Sequence, residues 1–275
     1  AAALGAAFRA AVEAQGADAR AGDQALGPEA PAGLAALRAP VAAASAAVAG
    51  LIRIEPMELH ADLSQRALFD SNALDWTPSP MAGVERRMLD RHGEEVARAT
   101  SLVRYTPGSR FERHSHGGGE EILVLSGTFS EGDQHYPAGC YLRSPPGSSH
   151  QPYSDEGATI FVKLWQMPAD ETRRVRLDTR APSAWQRLGE RELCPLFSDP
   201  AEQVCLLRLP AGAPLLPEPV PSAELLVLAG SVLDGQSRCE RGSWLRLPQG
   251  RYPDLVAGAQ GATLYLKTGH LPLAA

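Results

Sequence analysis

The feature that most constrains the fold is one long pattern repeated at a fixed offset. GEEILVLSG at 119–127 is echoed by SAELLVLAG at 222–230, and GCYLRSPPG at 139–147 by GSWLRLPQG at 242–250. GATIFVKLW at 157–165 is echoed by GATLYLKTG at 261–269. The offset is 103 or 104 residues at all three places, so a one-residue length change accounts for the drift. The matched glycines and prolines fix turns as well as hydrophobicity, so the chain reads as two successive copies of one unit.

The unit is β. Short apolar runs at Ala99–Tyr105, Ile122–Leu125, Tyr141–Arg143 and Thr159–Trp165 alternate with turn signals such as Pro107-Gly108, Gly117-Gly118-Gly119 and Pro145-Pro146-Gly147. Many short strands at close spacing mean an all-β sandwich or barrel. At 275 residues the chain can bury a sizeable core. The expected organisation is an extension over 1–56, a first β domain over 57–170 and a second over 171–275.

One constellation carries chemistry. His114 and His116 are two apart, so on a strand both imidazoles project from one face. Gly108 and Phe111 precede them, three glycines follow, and Glu120 then opens the next strand, which Gly127 is expected to close. Downstream, Gly139, Pro145 and Gly147 lead to a turn that delivers His150. Three imidazoles and one carboxylate suit Zn, Fe, Mn, Ni or Cu better than Ca or Mg.

The spacing G-x5-HxH-x3-E-x6-G followed by G-x5-P-x-G-x2-H resembles the two signature motifs of the cupin superfamily. More narrowly, RYTPGSRFERHSHGGGEEILVLSGTFS and YPAGCYLRSPPGSSHQPYSDEGATIFVKLWQ resemble the cupin domain of ChrR-type anti-sigma factors. The resemblance implies two tandem double-stranded β-helix (jelly-roll) barrels. It also implies one divalent transition metal held by His114, His116, Glu120 and His150, with zinc expected first and Fe(II) or Mn as alternatives. No catalytic residue is assigned. ChrR-type proteins also carry an N-terminal zinc domain with a His and a CxxC motif that grips the sigma factor. Residues 1–59 contain neither His nor Cys, so sigma-factor binding is not inherited.

The second copy serves as an internal control. His150 maps onto Pro253, Glu120 onto Ala223, and the HxH pair falls within Pro217-Glu218-Pro219-Val220. The second barrel is therefore expected to hold no metal. Arg104, Arg143 and Lys163 recur as Arg208, Arg246 and Lys267. Residues kept in a metal-free copy are expected to serve folding, ion pairing or an interface. Tyr105, Phe111 and Trp165 have no aromatic counterpart and read either as core or as a lining around the metal. Glu121 alternates to the barrel exterior, and His60, His92, His135 and His270 read as surface residues.

The totals exclude several classes. A net charge of -6 provides no basic field for nucleic acid or anionic lipid, and no apolar run is long enough to span a bilayer. Cys140, Cys194, Cys205 and Cys239 are scattered and form no CxxC pair, which reads as buried thiols in the reducing cytoplasm. Residues 1–50 hold 23 alanines and read as a flexible or partly helical extension, with a natural start expected near Met57. Three functions fit what remains: a sensory or regulatory metal-binding module, a dioxygenase acting on a small diketone or hydroxyaryl ketone, or a structural or interaction bicupin whose metal mainly stabilises the barrel. A small-molecule ligand near the metal and a homodimer formed through barrel edges are further expectations.

Overall fold

The computed structural model describes residues 58–93 and 96–271, so the Ala-rich extension lies outside the described residues. Within them there is no α-helix, only strands and two short 3-10 turns at Ser71–Ala73 and Pro182–Ala184. A ten-stranded and a nine-stranded antiparallel sheet account for nearly all strands. They form two tandem jelly-roll barrels, as the cupin resemblance implied. The third sheet is a pair of three-residue strands, His114–His116 and Ser148–His150.

Each barrel borrows an edge strand from the segment that leads toward the other. Ala67–Asp70 pairs with Ser243–Leu247 of the second barrel, in the register Ala67↔Arg246 to Asp70↔Ser243. Val175–Asp178 pairs with Cys140–Ser144 of the first, from Val175↔Arg143 to Asp178↔Cys140. The exchange covers two edges that would otherwise present unpaired backbone groups.

Alternation along the strand Glu120–Glu131 explains the continuous apolar runs. Ile122 and Val124 point into the first barrel with Val103, Leu142, Ile160 and Val162. Leu123 points outward and packs with Phe161, Leu206, Leu226, Trp244 and Tyr265 in a core shared by the two barrels. Both faces of the strand are thus buried, and the sequence reads as an unbroken run. The second barrel has its own interior, built on Leu207, Leu225, Val227, Leu245 and Leu264.

Charged residues kept in both copies meet at this shared face. Lys163 Nζ donates to Glu224 Oε1 at 2.5 Å, and reciprocally Lys267 Nζ donates to Glu121 Oε2 at 2.8 Å. Arg143 lies 3.1 Å from Glu121 and 2.6 Å from Glu202, and Arg246 lies 3.2 Å from Asp90. These repeated residues serve ion pairing at an interface. Glu121 does face out of the first barrel, but onto the second barrel and not into water. Burial opposes its charge, yet Lys267, Arg143 and Lys163 outweigh that and hold it down to about 2.

Two expectations need correction. Gly127 does not close its strand: the strand runs on to Glu131. The chain bends there with φ at 66°, and only glycine fits, since any Cβ would sit 1.9 Å from the Gly157 carbonyl oxygen. His270 is not a surface residue. Its imidazole is buried and hydrogen-bonded to Glu224 Oε2 at 3.0 Å, because its strand ends at the inter-barrel seam. Of the other three, His92 is exposed, His60 binds the Leu89 carbonyl at 2.7 Å, and His135 lies 3.0 Å from the Ser130 hydroxyl.

Candidate metal centre

The two short strands at the barrel rim bring the histidines together. His114 and His116 share a face, and antiparallel pairing places His150 directly across from His114. The three imidazoles form a nearly equilateral triangle, with ring centroids 4.8, 4.9 and 4.9 Å apart. One ligating atom from each lies within 4.8 Å of the others. Glu120 Oε2 stands 3.5 Å from both His116 Nε2 and His150 Nε2. The structure thus brings the three histidines named from the sequence together, with Glu120 beside two of them.

Hydrogen bonds outside the cluster aim the rings. His114 Nδ1 donates to the Glu112 carbonyl at 2.8 Å, and His150 Nδ1 to Glu131 Oε2 at 2.8 Å. Each bond commits the proton to Nδ1 and leaves the Nε2 lone pair free, the usual device for orienting a metal-binding imidazole. Glu131 is itself held by Arg176, whose guanidinium lies 2.7 Å from Oε1. Sequence reading missed both residues. Glu131 lies beyond Gly127, where the strand was expected to stop, and Arg176 arrives on the borrowed strand.

The electrostatics favour a cation. Burial lowers the pKa of His116 to about 3 and also lowers that of His114, so both are neutral donors at neutral pH. Burial raises Glu120 to about 7, assisted by the charge of Glu131. For His150 burial pulls downward, but the Glu131 bond and the charges of Glu120 and Glu131 raise it overall. His116 Nε2 and His150 Nε2 face each other at 2.9 Å. Donor atoms bonded to one transition metal at about 2.1 Å stand about 3.0–3.4 Å apart, so the observed 2.9 and 3.5 Å separations fit a shared ion.

The aromatic surroundings divide three ways. Phe111 packs on His114 with centroids 5.4 Å apart, while Tyr105 is buried in the barrel core. Trp165 lies outside the barrel with its ring over the glycine loop. A Cβ on Gly117 or Gly118 would come within 2.8 or 2.4 Å of the indole. Trp165 adopts φ of 57°, which disfavours a bulky residue; its counterpart in the second copy is Gly269 at 85°.

Residues 64–168 match the family model described as the ChrR cupin-like domain. The first barrel resembles the ChrR cupin-like domain over that stretch. No curated protein matches the chain by sequence. Among solved structures, a proposed dioxygenase from Nostoc punctiforme aligns with a TM-score of 0.63 and 19% identity, over 74% of this chain and 82% of that one. The bacterial pirin YhhW from Escherichia coli, in complex with nickel(II), aligns at 0.57 and 13% over 76% and 100%. YlbA from Escherichia coli aligns at 0.55 and 17% over 80% and 96%. At such identities the likeness concerns the cupin fold, which hosts many chemistries.

In the second cupin, Pro217–Pro221 stand where the first has its HxH loop. They border a cavity of about 240 Å³ with Leu207, Leu215 and Leu216. Among the described residues, the three histidines are the one cluster of His, Cys, Asp or Glu close enough to hold a metal. No helix among those residues is long and apolar enough to cross a membrane.

Proposed function

We propose that the protein is a ChrR-like bicupin whose first barrel holds one divalent transition metal through His114, His116, His150 and Glu120, and that it acts as a sensory or regulatory module. The observation that carries this reading is the triangle of oriented imidazoles with Glu120 3.5 Å from two of them. Zinc suits three nitrogens and one oxygen in a closed tetrahedral set, with Fe(II) or Mn as alternatives. The regulatory part rests on connectivity. The residue after Glu120 is Glu121, which binds Lys267 and Tyr265 of the second barrel, so occupancy of the centre bears directly on the barrel interface. Four buried, unpaired cysteines support a reducing, cytoplasmic setting.

The centre would place Lewis-acid chemistry at the rim of the barrel. His114 and His150 are held in one tautomer by Glu112 and Glu131, while Phe111 shields one side from water. Metal analysis of protein purified without added metal, followed by oxygen uptake with β-diketones and hydroxyaryl ketones, tests the proposal. About one zinc per chain with no oxygen uptake is expected. Oxygen uptake that follows iron content would replace the regulatory reading with a dioxygenase.

A further inference from the structure

A cavity of about 580 Å³ lies between the barrels and not at the metal centre. Equivalent residues of the two copies line it. Leu123 and Leu125 of the first barrel face Leu226 and Leu228 of the second, forming a floor continuous with the shared apolar core. Trp76 and Trp185 wall it, one from each half. Volume and composition fall within the range of small-molecule sites, which favour domain interfaces.

The charge of the lining is one-sided. Its only ionisable residues are Arg87, Arg180, Arg208 and Arg241, in a chain of net charge -6. Asp178 pairs with Arg180 at 2.8 Å and Glu192 with Arg208 at 3.0 Å. Arg87 is stacked on Trp76, 4.4 Å from the ring centroid, and its Nε is buried with no hydrogen-bond partner. The Arg241 guanidinium has no ion pair among the described residues. Two guanidiniums, one from each copy, thus remain uncompensated beside an apolar floor.

We propose that this cleft binds a small amphiphilic acid, with its chain or ring on the leucine floor and its carboxylate held by Arg87 and Arg241. A planar guanidinium matches a carboxylate in two-point fashion, and stacking on Trp76 pre-orients the one on Arg87. Such a ligand touches both barrels and so favours their docked arrangement. The site uses no residue of the metal centre, so it stands or falls independently of the metal reading.

Decanoate titrated into the full-length protein, followed by tryptophan fluorescence and calorimetry, tests the assignment. Saturable binding near one per chain is expected, with decanol at least tenfold weaker and affinity falling as salt is raised. The fluorescence change should disappear in the Trp76→Phe, Trp185→Phe double variant. Arg241→Gln should weaken binding at least fivefold, and Ser126→Trp, which fills the cleft from an exposed position, should abolish it. Arg113→Gln, near the metal centre, should leave it unchanged. Phosphatidylglycerol vesicles distinguish a free acid from a lipid surface, and free decanoate alone is expected to bind. Equal affinity for decanol and decanoate, or binding untouched by both cleft variants, would overturn the proposal. So would vesicle capture without decanoate binding, or a stable dimer in solution that binds no decanoate.

Discussion

Glu120 and Glu121 are consecutive residues whose carboxylates serve two different barrels. Glu120 turns into the first barrel, 3.5 Å from His116 and His150, while Glu121 turns out of it and accepts from Lys267 of the second at 2.8 Å. Strand alternation enforces the division. Desolvation acts on both, but only Glu121 has cations close enough to outweigh it. Glu120 is therefore raised to about 7 while Glu121 is held at about 2.

Lys267→Met should be strongly destabilising, by about 3–5 kcal/mol, because it leaves buried carboxylates short of a cation. The double variant Glu121→Gln, Lys267→Met should recover much of that loss, since removing both charges removes the uncompensated one. Urea denaturation of the three proteins reads this directly. Additive losses would mean that the pair does not act as a pair.

His150→Ala should remove most of the bound metal, and Pro253→Ala, at the equivalent position of the second copy, should remove none. Glu131→Gln should keep the fold but lower metal affinity roughly 10–100-fold, since it alters the bond that aims His150. Competition with a chromophoric chelator gives the constants. Unchanged affinity in Glu131→Gln would make that hydrogen bond incidental.

Trp165→Gly should separate strain from function. Glycine accepts the φ of 57° without cost, as Gly269 does in the other copy, so thermal stability should change little as lost packing offsets relieved strain. Removal of the indole from above Gly117 and Gly118 should loosen the loop between the ligands and speed metal release to a chelator severalfold. An unchanged release rate would show that the tryptophan covers the loop without restraining it.

The repeat made the two barrels legible, and signature spacing made the three-histidine cluster legible, because both are local regularities of residue type. What stayed hidden depends on long-range geometry. Glu131 was out of reach because a glycine at positive φ can end a strand or bend it, and here the strand runs on by pairing with Gln134–Pro137 and Pro152–Ser154. Arg176 comes from a strand that pairs across a domain boundary, which no hydrophobic pattern records. His270 looked like a tail residue, and only the partner barrel's geometry buries it.

His270 also sets an expected acid sensitivity. Burial is the main cause that pushes its pKa down to about 3, against the pull of Glu224, which is itself held well below the usual 4.5 chiefly by Lys163 against desolvation. In the unfolded chain the imidazole takes up a proton near about pH 6.5, whereas the folded protein takes it up only near 3. The unfolded state therefore binds more protons between those values, and stability falls as pH drops through that window. Glu224, depressed in the fold, adds a loss in the same direction below 4.5. His270→Gln keeps a donor for Glu224 but removes the imidazole titration, so its stability should fall less steeply between pH 6.5 and 4.5. Urea midpoints at half-unit pH steps, with both proteins stripped of metal, compare the slopes. Parallel profiles would show that His270 is protonated as readily in the fold as outside it.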